Sequence, residues 1–358
     1  LPRSRFASLS APAAWACLAA LAALVVWGLL AGGPLVLPVV DPDRGDIALY
    51  QAIVGRIRAG EGYYTAAAAE LAGRGYAVRP FVNFRLPTVA LFTASPVGTA
   101  FGTALLIGLA LATLVAWIGR LGRGLPAPIA LGVPVMTAVG CAWPGVVSLE
   151  AMVVFHETWA CLLIALSLAL WDPKRWWPSM LVGLMALLVR ELALPYLAIM
   201  AVTAFWEGRR REALAWAGGI ALFAVFLAVH AYLATIHTPA VGPTNSWTAV
   251  GGWRFVLTTA GWSIPLLLVP AAAHGLLVPV ALLGLAGWRG AFGTRVALVV
   301  GGYVGALMLV GRPDNHYWGF LYAQLLIPGF LMAVPALRDL LVRALEPFMP
   351  RGEGARAS

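Results

Sequence analysis

Long runs of apolar residues, repeated from one end of the chain to the other, limit what this sequence can fold into more than any other feature. The first covers residues 12–33, and several more reach the ~20 residues needed to cross ~30 Å of hydrocarbon as a helix. Hydrocarbon offers the backbone no partner, so each such run must satisfy its own N–H and C=O groups, and a helix does so. With 61% hydrophobic and 11% charged residues, the composition excludes a soluble globular domain. The expected fold is all-α: a polytopic membrane protein of about ten transmembrane helices.

Arginines set the expected topology. Arg3 and Arg5 precede the first run and place the N-terminus in the cytoplasm. That run is too long for a signal-peptide core and no A-x-A cleavage site follows it, so it reads as a retained anchor. Further spans are expected at 96–118, 126–142 and 151–171. Segment 176–206 has basic clusters on both flanks, which demands an even number of crossings; Arg190-Glu191 should mark the turn between two short helices. A single long helix there would reverse everything downstream. The remaining spans fall at 213–235, 262–287, 296–311 and 319–337. In this layout the inside segments hold 15 basic and 6 acidic residues and the outside segments nine of each, so the whole net charge of +9 is cytoplasmic. One transmembrane domain, residues 1–337, then contains an outer (periplasmic) loop at 34–95, with a cytoplasmic tail at 338–358 and both termini on the cytoplasmic side of a bacterial inner membrane. Basic residues scattered in short clusters argue against nucleic acid as a partner. Cys17, Cys141 and Cys161 sit within apolar runs and read as small core residues, without a disulfide framework.

The loop at 41–87 carries three aspartates, two glutamates, six arginines and four tyrosines directly after an anchor. Polar groups held against a bilayer point to chemistry on a lipid-linked substrate. Ile47, Tyr50, Val54 and Ile57 recur in steps of three or four, an amphipathic helix over 46–58 with Asp46 in its first turn after Gly45. Tyr63-Tyr64 opens a second helix that Gly73 and Gly75 end. Both helices are expected along the outer interface with their apolar faces in lipid. Asp46 also reads as a helix cap or first-turn acid. Asp41 and Asp43 flank Pro42, a turn pattern; the D-x-D spacing can alternatively hold a divalent cation such as Mg or Mn.

Elsewhere on the outer side, His156 and Glu157 share part of a helix face with Glu150 and read either as an interfacial polar cap or as substrate contacts. Arg190 and Glu191 lie deep, where ionisable groups face a bundle interior or an aqueous cavity; they read as a structural pair or as a phosphate contact. GRPDNHYWG, residues 311–319, gathers Arg312, Asp314, His316 and Tyr317 for a sugar or phosphate contact, although Tyr317 and Trp318 also fit an interfacial aromatic belt. Loop 236–260 offers Asn245, Trp247, Trp253 and Arg254 for sugar faces or acceptor, and reads equally as a structural loop. His230 and His274 stand alone in spans and read as hydrogen-bonded core histidines.

D-I-A-L-Y, then R-x-G-E-G-Y-Y, then F-R-L-P resembles the first outer loop of GT-C-fold membrane glycosyltransferases, closest to the protein O-mannosyltransferase and aminoarabinose-transferase type. The resemblance covers about 50 residues and the many-span architecture. It implies Asp46 as the catalytic aspartate, with Asp43 as a second candidate acid. Tyr50 corresponds to the family's tyrosine, Glu61 to a Gly-Asp-like position and Arg85 to the basic entry to the second span, and Tyr63 and Tyr64 fall among the substrate-contacting residues. Two departures stand out: Ile47 replaces the second acid of the pair, and one proline, Pro87, remains at the entry. The implied reaction takes a sugar from a polyprenyl-phosphate donor to a glycan, lipid or protein acceptor at the outer face, with membrane lipids as surroundings. A transporter or lipid flippase, and a non-catalytic subunit of the same fold, are the alternatives.

Overall fold

The structure, a computed structural model, describes residues 3–31, 45–122, 149–238, 244, 249–264, 266 and 269–348. Every regular element among them is helical, and one isolated parallel bridge joins Arg79 to Thr244. Among the described residues, five stretches are long and apolar enough to cross a membrane: Ala11–Leu30, Gly98–Leu121, Arg210–His237, Gly290–Leu309 and Ala323–Phe348. Five shorter apolar helical stretches accompany them, at Phe81–Ala94, His156–Leu170, Trp177–Val189, Glu191–Trp206 and Ala271–Gly287. The expected span at 126–142 lies outside the described residues, as do Asp41, Asp43, Cys141, Asn245 and Trp247.

The α-helices in chain order are α1 (Ala11–Leu30), α2 (Asp46–Arg58), α3 (Tyr63–Gly73), α4 (Pro87–Ala94), α5 (Gly98–Leu121), α6 (Leu149–Val153) and α7 (His156–Leu170). They continue with α8 (Trp177–Val189), α9 (Leu194–Trp206), α10 (Arg210–His237), α11 (Gly252–Ser263), α12 (Ala271–Gly287), α13 (Gly290–Leu309) and α14 (Ile327–Leu345). Proline opens α1, α4, α8, α9 and α14, in the first turn where its missing N–H leaves no intrahelical bond unmade.

Three expected spans prove to be interrupted. The run at 151–171 breaks at Val154-Phe155 between α6 and α7. The run at 262–287 is divided after Ser263, and its second helix restarts at Pro270, which has no N–H to continue a ladder. The first part of that division, α11, begins at Gly252 inside what reads from sequence as a polar loop. The last span opens as 3₁₀ turns, Pro313–Leu321 and Ala323–Leu326, before α14 continues to Leu345, so the residues assigned to a tail begin within a helix.

Small residues set the closest helix contacts. A Cβ built on Gly28 of α1 would lie 2.7 Å from the Cα of Gly275 on α12, and one on Gly284 would lie 1.9 Å from the carbonyl oxygen of Gly329 on α14. Backbones approach this closely only where side chains are absent, which is how helices associate in lipid. Gly284→Ala is therefore expected to destabilise the bundle by roughly 1–3 kcal/mol through overpacking. Gly301→Ala on α13, where a Cβ meets nothing within 4 Å, should be neutral or mildly stabilising. Thermal unfolding of both variants in detergent checks the contrast.

The helical core has a polar cluster at each end of α7. At its C-terminal end Trp171 donates from Nε1 to Glu212 (2.9 Å) while the guanidiniums of Arg295 and Arg209 lie 3.8 and 4.7 Å from its ring centre. Arg295 in turn makes a two-bond contact with Glu207 (2.6 and 3.0 Å). The other cluster surrounds His156 and Glu157, about 22 Å away at 1.5 Å per residue of helix.

The amphipathic pattern of α2 correctly marks a helix, but its apolar face does not lie against lipid. Leu49, Tyr50, Ile53 and Val54 are buried, and so are Ala66, Ala67, Ala68 and Leu71 of α3. α4 folds back beneath α2, and α10 packs against α3, so protein supplies the apolar surroundings that the period alone would assign to lipid. Exposed apolar side chains instead stud the long helices, among them Leu111, Val115, Leu222 and Val225, as a lipid-facing surface requires.

Candidate active site at one end of the bundle

Gly45 caps α2 in an extended conformation and Asp46 occupies its first turn, where the helix dipole favours a carboxylate. Tyr317, carried by the 3₁₀ segment Pro313–Leu321, donates its hydroxyl to Asp46 Oδ2 at 3.0 Å, a contact between residues 271 positions apart. Tyr76, in the turn after α3, also hydrogen-bonds the Asp46 side chain. Burial first, and then the Asp46 charge, push the Tyr76 and Tyr317 phenols above their ordinary values, so both remain protonated donors.

Arg85 joins this carboxylate to the helical core. Its Nη2 donates to the Tyr317 hydroxyl at 3.0 Å and its Nε to the Tyr50 hydroxyl at 2.8 Å. Asp46 Oδ2 and Arg85 Nη2 each lie 3.0 Å from one phenol oxygen, and so within about 6 Å of each other. Burial pulls the Arg85 value down, but Tyr50 and Tyr317, with Glu157 and Glu191, outweigh it and hold the guanidinium charged. Among the described residues Arg85 makes no ion pair; the groups it bonds are neutral phenols.

Beneath lies an ion cluster built on the fully buried Arg190 and Glu157, with Glu191 at its partly exposed edge. α8 ends at Arg190, whose extended backbone leads into the 3₁₀ turn Glu191–Ala193, and Pro195 opens α9. The break between two short helices is the one expected from the flanking basic residues. Arg190 is 0% exposed and sits between Glu157, 2.7 Å from its Nε, and Glu191, which it bonds through Nη1. The Glu157 contact is an ion pair whose N–H does not point along the line to the oxygen, so neither Arg190 Nε nor Glu157 Oε1 has a formal hydrogen bond. Among the described residues, Arg190 Nη2, Glu157 Oε2, His156 Nδ1 and Asn315 Nδ2 are buried without a hydrogen-bond partner. Buried polar atoms left bare are costly, so these four stand out. The two layers are electrically continuous. After burial, the Tyr50 phenol responds to Arg85, Asp46, Glu157 and Arg190 together. Its ring meets His156 edge-on at 5.3 Å.

Other candidates fall nearby or elsewhere. His316 packs edge-on against Trp262 at 4.4 Å and hydrogen-bonds Pro313 O at 3.2 Å; burial lowers its value, against the pull of Asp314 and Asp46. Arg312 is committed to Asp314 through two bonds, 3.1 and 2.8 Å. Tyr63 donates to Arg85 O, and Tyr64 bonds His230 Nδ1 at 3.0 Å. Glu61 is not brought to the cluster: it pairs with Arg56 at 2.9 Å in a half-exposed network with Glu70 and Arg74. Arg254 is exposed in the first turn of α11. His230 and His274 are bonded core histidines, His274 through Leu266 O at 2.8 Å.

No family model, curated protein or solved structure matches this chain. The site must therefore be read from its own geometry. Sequence alone does not single out Tyr76 or Phe155. Phe155 packs on Tyr50 and Tyr317 at ring distances of 6.4 and 5.3 Å. Nothing in the spacing of either residue distinguishes it from ordinary apolar and turn residues. Among the described residues, no group of three or more His, Cys, Asp or Glu side chains is disposed to hold a metal ion.

Proposed function

We propose that this protein is a membrane glycosyltransferase that takes its sugar from a polyprenyl-phosphate donor, with Asp46 as the general base. The observation that carries the reading is the Asp46–Tyr317–Arg85 chain. Among the described residues, a carboxylate and a guanidinium that makes no ion pair meet at one phenol, near buried donors that have no hydrogen-bond partner. Catalysis of sugar transfer needs a proton acceptor for the acceptor hydroxyl and a cation for the departing phosphate, held apart by the width of a reacting centre.

In this mechanism the acceptor O–H gives its proton to Asp46 as its oxygen bonds to the anomeric carbon. The bond from that carbon to the phosphate oxygen breaks, and polyprenyl phosphate leaves with the electron pair. Arg85, and Arg190 through its unpartnered Nη2, stabilise the charge that collects on the leaving phosphate; the planar fork of arginine suits phosphate oxygens. Arg190 is already shared by two carboxylates and Arg312 is held by Asp314, which makes Arg85 the principal phosphate contact. Tyr317 and Tyr76 orient the base.

The proposed topology, with about ten crossings in a GT-C-like arrangement, puts this end of the bundle outside the cytoplasm. Arg120, Lys174, Arg175, Arg209, Arg210, Arg211 and Arg295 border the far end of the helices, on the side that the positive-inside bias assigns to the cytoplasm. A bacterial inner-membrane location is part of the same proposal. Divalent-cation dependence through Asp41 and Asp43, which lie outside the described residues, stays within the proposal on the D-x-D spacing of the sequence alone.

The test is a reconstituted assay. The purified full chain in nanodiscs, given polyprenyl-phosphate-linked sugars and candidate acceptors, is expected to form glycosylated product and release free polyprenyl phosphate, both read by mass spectrometry. Movement of the intact donor between leaflets, with no covalent product, would replace the reading by that of a flippase.

A further inference from the structure

Three consecutive carbonyls, at residues 84, 85 and 86, are each held by a side chain from a different helix. His230 on α10 donates from Nε2 to Phe84 O at 3.1 Å, Tyr63 on α3 donates to Arg85 O, and His156 on α7 donates from Nε2 to Leu86 O at 3.2 Å. These partners come from 146, 22 and 70 residues away. A carbonyl can only accept, so both histidines must carry their proton on Nε2, which leaves His230 Nδ1 to accept from Tyr64 (3.0 Å). Thr88 extends the same fastening one turn further, donating to Leu188 O at 2.7 Å beside the Arg190 turn.

The segment they hold is irregular. It runs from the 3₁₀ turn Phe81–Asn83 to Pro87 at the head of α4, where no regular ladder fixes the backbone. Buried carbonyls need partners, and backbone or water usually supplies them. Here three long-range side chains do so, and the residue at the centre is Arg85, whose guanidinium is itself held between Tyr50 and Tyr317. Both ends of one side chain are thus fixed to separate helices. Pre-organisation on that scale is useful for a cation that must meet a phosphate in one geometry, because ordering costs are met before the ligand arrives.

We propose that Tyr63, His156 and His230 are positioning residues that set the backbone of Arg85 for phosphate binding. This rests on the assignment of Arg85 to the donor phosphate, and the experiment separates the two claims. Decaprenyl phosphate binding is measured on the full chain in nanodiscs by native mass spectrometry, without reference to turnover. Arg85→Gln should weaken binding most. His156→Leu and His230→Leu should each weaken it by about tenfold, the scale of one lost hydrogen bond. His156→Gln, which keeps an N–H donor, should recover most of the loss. On an Arg85→Gln background the leucine variants should have no further effect, since the group they position is gone. Tyr63→Phe, which removes one hydroxyl, serves the same cycle where a leucine variant does not accumulate.

Equal weakening with and without Arg85 would show that the clamps merely stabilise the fold and would overturn the proposal. So would unchanged binding in the leucine and phenylalanine variants while Arg85→Gln loses affinity, a result that leaves the phosphate assignment standing. Unchanged binding in Arg85→Gln would overturn both.

Discussion

Asp46→Asn is expected to reduce sugar transfer by roughly 10²–10⁴-fold, the usual contribution of a positioned general base, while the protein accumulates normally. Asparagine keeps the shape of the side chain, and its amide oxygen can still accept from Tyr317, so the long-range hydrogen bond that orients residue 46 survives. What is lost is the proton acceptor. The lost interaction of a first-turn carboxylate with the helix dipole, about 0.3–1 kcal/mol, is too small to unfold the bundle. Tyr317→Phe should lower turnover less, by about tenfold, because it removes one orienting bond from the base and one from Arg85. Product formation by reconstituted variants, compared at equal amounts of folded protein, checks both. Full activity of Asp46→Asn would remove Asp46 from the mechanism.

The second large effect is on stability. Arg190→Leu leaves Glu157, 0% exposed, as a buried carboxylate without its ion-pair partner, and removing one partner of a buried pair costs about 3–5 kcal/mol. That is a large share of the 5–15 kcal/mol typical of a folded protein, so low yield and a sharply lowered Tm in detergent are expected. The double variant Arg190→Leu/Glu157→Leu should recover much of the loss, because apolar replacements of similar volume substitute well for a buried ion pair. Glu191 is 21% exposed at its side chain and can be partly solvated once Arg190 is gone. A single variant as stable as the parent would show that Glu157 is satisfied by something other than Arg190.

Much of this architecture is legible in the sequence, and the illegible part has physical causes. Helices α2 and α3 can be bounded from glycines and a three-to-four-residue period, since Gly45, Gly62 and Gly75 stand where the backbone leaves the helix. The turn at Arg190 follows from two basic flanks that one crossing cannot join. The breaks at Val154-Phe155 and after Ser263 are hidden because broken and continuous spans share the same apolar composition. Period alone cannot say whether an apolar face meets lipid or protein; the burial of Tyr50 and Val54 under the returning chain depends on tertiary packing.

At the site, Asp46, Tyr50, Arg85, Arg190 and Tyr317 can be nominated singly from residue type and depth. Their assembly cannot be, because the Asp46–Tyr317 bond closes over 271 residues. Glu61 shows the converse: Gly-Glu-Gly fits the resemblance, yet an arginine five residues away captures the carboxylate locally. Arg312 is likewise claimed by Asp314 two residues on, which leaves Arg85 as the cation that composition alone would not have ranked first.

The most direct test of the central claim is a cryo-EM structure of the full chain in nanodiscs with decaprenyl phosphate bound. The phosphate is expected within hydrogen-bond distance of Arg85 and of Arg190 Nη2, on the side of Tyr317 that faces Asp46. A phosphate resolved at the far end of the helices, beside Arg209 and Arg295, with the Arg85 guanidinium untouched, would contradict the account.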